Sequence, residues 1–166
     1  MNAEDLIKHF GLVPLPREGG FYLETYRSSA QIPGAILPNQ DSKSFSTAIY
    51  YCLTKNTFSH LHRLPTDEIY HFYYGDPVEL FFLIETPTPR FETHLLGSDF
   101  MAGHLPQIKV PANSWQGSRL VDGGEVALMG TTMSPGFDFK DLELANYENL
   151  KRLLPGADYW LKLLCT

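Results

Sequence analysis

Short runs of β character, cut apart by turn residues, limit this chain more than any other feature. Residues 45–53 carry Phe, Ile, Tyr, Cys and Leu on both alternating faces, which predicts a strand covered on both sides. Further strands are predicted over residues 21–26, 68–74, 78–84, 91–96, 107–110 and 125–132. Gly75-Asp76-Pro77, Gly97-Ser98-Asp99 and Asp122-Gly123-Gly124 separate several of them, and each supplies backbone freedom that a tight turn needs. Strands this short, at this spacing, predict a sandwich or a barrel.

The ends read differently. Asn2 is placed to cap a helix over residues 3–10, with Leu6, Ile7 and Phe10 as its buried stripe and Gly11 as its stop. Residues 30–43, polar and broken by two prolines, predict an exposed loop. Leu142, Leu144, Tyr147, Leu150, Leu153 and Leu154 recur at helical spacing, so one or two C-terminal helices are expected to pack outside the strands. With 166 residues and no repeat or linker, the expectation is one mainly β domain over residues 1–166.

Composition narrows the partners. A net charge of −6, with thirteen scattered basic residues, argues against binding a nucleic-acid backbone. No stretch approaches the roughly 18 apolar residues that span a bilayer, and the N-terminus lacks a basic segment followed by an apolar one. A cytoplasmic protein is expected, with no membrane partner. Two cysteines make no disulfide framework, and Cys52 reads as a buried thiol within its strand. Gly19-Gly20 and Gly123-Gly124 lack the setting of a phosphate-binding loop, so no nucleotide cofactor is expected.

Chemistry concentrates in Ser59-His60-Leu61-His62-Arg63-Leu64-Pro65-Thr66-Asp67-Glu68. Side chains two apart on a strand share a face, so His60 and His62 converge. A turn at Pro65 then returns the chain with Glu68 at the start of the next strand. Two imidazoles and a carboxylate form a pattern suited to a divalent ion such as Fe, Mn, Ni or Zn. The same groups serve acid–base work without metal. The plainer alternatives are histidines bonded to backbone, and Glu68 paired with Arg63 at the rim. Tyr70 and Phe72 share the face of Glu68 and line the pocket, whereas His71 points the other way and is structural.

His60-x-His62, five residues, Glu68, six residues and Gly75 resemble the first motif of the cupins, longer by one residue between His62 and Glu68. Pro111-Ala112-Asn113-Ser114-Trp115-Gln116 looks like the second motif, with Asn113 taking the turn conformation of a glycine. Glu18-Gly19-Gly20-Phe21-Tyr22, Thr47-Ala48-Ile49-Tyr50-Tyr51 and Ser134-Pro135-Gly136-Phe137-Asp138-Phe139 are similar to segments of a poorly characterised cupin branch related to the dTDP-sugar epimerases. Two departures stand out: Gln116 occupies the place of the second motif's metal-binding His, and Thr54 that of a glycine ahead of the first motif.

The resemblance implies a jelly-roll β-barrel, commonly a homodimer, with its pocket inside. It implies that Gln116 points inward, as a weak fourth ligand beside His60, His62 and Glu68 if a metal is held. Trp115 is expected at the pocket mouth or against the loop, with ligand stacking the sharper reading. Arg119 either meets an anionic substrate or forms a surface ion pair. The expected function is a small-molecule enzyme acting on a sugar-like or carboxylated metabolite. Two mechanisms are open: a metal-assisted one, and a metal-free one with His62 as base and Tyr70 returning a proton from the opposite face, Glu68 being the third residue of the catalytic set. The rival class is a binding or sensing module without turnover.

Overall fold

The computed structural model describes residues 1–37 and 41–165. Helix α1 (Ala3–Phe10) begins as expected, with the Asp5 N–H donating to the Asn2 side chain at 2.9 Å. Gly11 ends it in the left-handed conformation, φ 64°. Leu6 is thereby buried against Leu12, Cys52, Val126 and Leu128.

Strands follow closely: β1 (Val13–Pro14), β2 (Phe21–Arg27), β3 (Gln31–Ile32), β4 (Lys43–Ser44), β5 (Thr47–Thr54) and β6 (Ser59–Arg63). Then come β7 (Glu68–Gly75), β8 (Val78–Ile84), β9 (Arg90–Leu96), β10 (Gln107–Val110), β11 (Trp115–Leu120), β12 (Val126–Met133) and β13 (Glu143–Leu144). Helices α2 (Tyr147–Leu153) and α3 (Asp158–Leu164) close the chain. One sheet runs β1-β2-β5-β12-β7-β10 and the other β13-β6-β11-β8-β9, with β3 and β4 paired apart from both. Partners distant in sequence, such as β5 with β12 and β6 with β11, wind the two antiparallel sheets as a jelly roll that stays open at its edges.

Alternation explains what each face does. Tyr51 and Leu53 of β5 enter the core between the sheets with Tyr70, Leu80, Phe82, Ala127 and Met129, while Cys52 turns outward beneath α1. That strand is covered on both sides, as its composition requires. Leu61, Phe81, Leu83 and Trp115 face outward on the second sheet and are covered by Leu150, Leu161 and Leu164 of the terminal helices. Across three strands, Met133 pairs with Thr47 on one side and Glu68 on the other. The starts of β5 and β7 and the end of β12 therefore share one end of the first sheet.

Three expectations are corrected. The helical stripe starts at Tyr147: Leu144 belongs to β13, beside His62 of β6, and Leu142 packs on Leu64 and Met133. The segment at 30–43 is not a plain exposed loop. It carries β3, β4 and a 3-10 turn, and Lys43 is buried in an ion pair with Asp141. Its residues 38–40 lie outside the described residues. Finally, β11 was not expected as a strand, because Gln, Gly, Ser and Arg give Trp115–Leu120 no β signature. Among the described residues no helix is long and apolar enough to cross a membrane.

The outer helices pack on the sheet through apolar side chains, and Leu161 is fully enclosed there. Replacing Leu161 by Ala is expected to cost about 2–5 kcal/mol in denaturant unfolding. The half-exposed Leu153→Ala, its control on α2, should cost about 1 kcal/mol or less.

Candidate active site

The site begins at a turn that the sequence marks with two glycines. Between β1 and β2, Arg17, Gly19 and Gly20 all take positive φ, at 69°, 95° and 72°. At Gly19 a Cβ would lie 2.4 Å from the Phe58 carbonyl oxygen, so only glycine lets this turn press on the chain entering β6. The contact is pinned by the His60 N–H donating to the Glu18 carbonyl at 2.7 Å and the Tyr51 hydroxyl donating to the Gly19 carbonyl at 2.9 Å. The Glu18 carboxylate is thereby buried between the sheets, where Ser59 Oγ donates to it at 3.1 Å.

Strand β6 supplies the second group through a bulge. Gln116 of β11 pairs with His62 and Ser118 with Ser59, so two steps along β11 match three along β6. The extra residue breaks the alternation. Ser59 and His62 share the inner face, both directed at Glu18, while the His60 ring packs against Phe58 at a tilt of 51°, with centroids 4.5 Å apart. His62 is wholly buried. Its Nδ1 lies 2.7 Å from the His60 carbonyl, which can only accept, so Nδ1 carries the proton and Nε2 presents a lone pair. That lone pair has no partner and lies 3.9 Å from Glu18 Oε2.

Glu68, the first residue of β7, completes the cluster and accepts a hydrogen bond from Gln116 Nε2 at 2.7 Å. Burial pushes the Glu68 carboxyl up to about 7, with the Glu18 charge adding to the rise and His62, Thr131 and Gln116 opposing it. Burial likewise raises Glu18 to about 7 against its bonds with Ser59 and Tyr51. Burial lowers the His62 value despite the Glu68 charge, which keeps the ring neutral at pH 7. Tyr51 and Tyr70 are held well above the usual phenol value, first by burial and then by the carboxylates. Beside the pair, Gln116 Oε1 and the Tyr70 hydroxyl also lack partners.

A cavity of about 230 Å³ opens onto both carboxylates. Glu18, Glu24, Thr47, Glu68 and Thr131 give its polar side; Leu15, Tyr22, Ile49, Leu64, Met133, Phe137 and Phe139 give its apolar walls. The two phenylalanines sit on the segment after β12, which is laced to β4 and β5. Gly136 N–H donates to the Ser44 carbonyl at 2.8 Å and Phe137 N–H to Thr47 Oγ1 at 2.9 Å. A larger groove of about 820 Å³ runs past Arg63, Glu85 and Glu143, but it is an open depression whose charges pair with one another. The enclosed cavity is the better candidate, since its carboxylates are buried and shifted.

The predicted residues divide by this geometry. His62, Glu68 and Gln116 come together. Tyr70 shares their face but sits deeper, within the core, and Phe72 packs against that core. Trp115 lies on the outer face, where its Nε1 donates to Glu85 at 2.6 Å and Arg63 stacks on its ring at 4.4 Å. Arg119 also lies outside, bonded to Glu79 at 2.6 Å and Asp122 at 2.8 Å. An inward Gln116 makes both outward by alternation, which corrects their placement at the pocket. His71 faces away, 3.2 Å from Thr132 Oγ1.

The metal set drawn from His60, His62, Glu68 and Gln116 does not fit this geometry. His60 packs against Phe58, and Gln116 turns an amide N–H toward Glu68. Among the described residues no three His, Cys, Asp or Glu side chains converge as ligands. Sequence reasoning did not place Glu18 or the wall of Tyr22, Phe137 and Phe139 at the site, although both lie in segments that resemble the cupin branch.

Comparison with known proteins supports the architecture. The family described as Cupin superfamily (DUF985) matches residues 4–145. A hypothetical protein from Leishmania major has a similar structure, with a TM-score of 0.90 and 31% identity, covering 99% of each chain. A protein from Shewanella oneidensis is similar with a TM-score of 0.85 and 33% identity, covering 100% of this chain and 98% of that one. An oxalate decarboxylase from Bacillus subtilis shares the fold at 13% identity and a TM-score of 0.51, over 99% of this chain and 38% of that one. No curated protein matches the sequence.

A carboxyl titrating near 7 when folded and near 4.5 when unfolded binds more protons in the folded state between those values. Its contribution to stability is full below the lower value and is lost as pH rises through the higher one. Glu18→Gln is therefore expected to raise stability relative to wild type at about pH 8, with the gain vanishing toward about pH 4.5, as read by unfolding curves across that range.

Proposed function

The chain belongs to the cupin superfamily (DUF985), and from that premise we propose that it is an enzyme moving protons on a small molecule held between its sheets. Glu18 and Glu68 are its acid–base pair. The observation that carries this reading is the meeting of two buried carboxyl groups at one enclosed cavity, with a neutral His62 behind them. Carboxyl groups are poor acids or bases at neutral pH unless their surroundings move them there, and burial supplies the movement.

The neighbours divide the roles. The amide N–H of Gln116 can only donate, so it favours the ionised form of Glu68. The hydroxyls of Ser59 and Tyr51 can donate or accept, and the His62 lone pair faces Glu18, so the shared proton rests on Glu18. Glu68 then takes a proton from a carbon next to a carbonyl while Glu18 gives its proton to the carbonyl oxygen. An enol forms, and return of the two protons at other positions or on the other face yields an isomer. No electron leaves the substrate, and no donor beyond this pair is needed. Tyr70 is buried beside the cluster and takes no step in this scheme.

Of the expected substrates, a carboxylated metabolite is disfavoured, because its charge would meet two carboxyl groups of the same sign. A hydroxyl- or carbonyl-bearing molecule fits better. The mostly apolar cavity wall also supports the second reading, a module that binds such a molecule without turnover. A homodimer goes with this proposal through the family resemblance.

Solvent-deuterium incorporation, followed by NMR over a panel of small hydroxyketones and aminoketones, tests the proposal. Wild type is expected to exchange a proton next to the carbonyl, Glu68→Gln to do so about 10²–10⁴-fold more slowly, and a chelator to leave the rate unchanged. Equal exchange by Glu68→Gln would overturn the assignment. Ligand-dependent stabilisation with no exchange anywhere in the panel would favour the binding module.

A further inference from the structure

The cavity carries three acidic groups, the buried Glu18 and Glu68 and the exposed Glu24, with an aromatic wall, and none of the described residues lining it is Lys or Arg. We propose that the molecule it takes is a small organic cation, an amine or quaternary ammonium, seated between Glu18, Glu68 and the rings of Tyr22, Phe137 and Phe139. This names the substrate class for the acid–base site and rests on that reading for the location of the chemistry.

The rings pack edge to face. Tyr22 and Phe139 have centroids 6.4 Å apart at 82°, and Phe137 and Phe139 are 5.0 Å apart at 79°. Near-perpendicular rings form the corner of an aromatic cage, and ring faces attract ammonium groups through their quadrupoles. Opposite this corner lies the carboxyl pair. A cation there gains from both sides in a partly enclosed site, where screening is weaker than at an open surface.

The cationic side chains near the mouth are already matched. The Arg27 guanidinium is held in a fork by Glu24 at 2.9 and 2.6 Å and donates to the Phe137 carbonyl at 3.1 Å. Lys43 is paired with Asp141, and Lys140 with Asp41 and Asp138. Among the described residues no Lys or Arg pairs with Glu18 or Glu68.

A second observation points the same way. His62 Nε2 and Gln116 Oε1 are fully buried acceptors that lack a donor, and the first faces Glu18 from 3.9 Å. The Tyr70 hydroxyl is an unbonded donor in the same cluster, and among the described residues these two acceptors and the carboxyl pair outnumber it. An ammonium ligand brings both the positive charge and, when not quaternary, the N–H groups.

Choline and its uncharged isostere 3,3-dimethyl-1-butanol separate charge from shape, with methylammonium as the smaller probe. Calorimetric titration at about pH 8 is expected to show one of the two cations binding at least about tenfold tighter than the alcohol. Glu68→Gln should reduce that preference about tenfold. Phe139→Leu, at a position exposed enough to leave the fold intact, should reduce it several-fold. An alcohol that binds as tightly as choline, or no binding by either cation, would overturn the inference. Proton exchange on neutral ketones without cation preference would sink this inference and leave the acid–base reading standing. Cation preference without exchange on any panel member would do the reverse.

Discussion

The contact between the turn before β2 and the start of β6 decides what this barrel holds. Gly19 brings two backbones closer than any side chain would allow, and hydrogen bonds from the His60 N–H and the Tyr51 hydroxyl lock them. Glu18 is then buried. Its carboxyl is delivered to the space where Glu68 and His62 already stand, so that two acids face one cavity. The bulge in β6 serves the same end, because it turns Ser59 and His62 inward together to meet Glu18.

Such a cluster works against folding. Two carboxyl groups and an imidazole are withdrawn from water with few donors to satisfy them, and burial dominates each of their shifts. The remainder of the molecule offsets this with ordinary means: an apolar core between the sheets, a helix under the first sheet and two helices on the second. A destabilised polar centre inside a well-packed shell is what a functional site requires, since groups relaxed into their most comfortable states do little chemistry. The lacing of Phe137 to β5, with the buried Lys43–Asp141 pair nearby, extends the same shell over the cavity mouth.

Much of the architecture was legible because it rests on local pattern. The two-faced apolar run at 45–53, the Asn2 cap and the glycine stop of α1 each have a cause within a few residues of themselves. Asn113 does take the left-handed conformation that its motif calls for, φ 62°. Strand β11 was hidden because its inward residues are the site's own polar groups, so its sequence obeys the pocket and not strand preference. Trp115 and Arg119 could have been placed correctly by parity alone, given an inward Gln116. His60 could not, since parity is the rule that a bulge suspends.

By itself, the sequence determined a mainly β chain with helices at both ends, the motif strands that carry His62 and Glu68, and an inward Gln116. The first two follow from alternation, turn chemistry and spacing, which act over a few residues; the inward Gln116 came from its place in a motif that resembles the cupins' second. Only the tertiary structure decided that Glu18 joins them, that His60 leaves them, and that Tyr22, Phe137 and Phe139 wall the cavity. Each of those outcomes depends on pairing between segments tens of residues apart. Burial, which sets the charge state of the cluster, likewise exists only once the two sheets have closed around it.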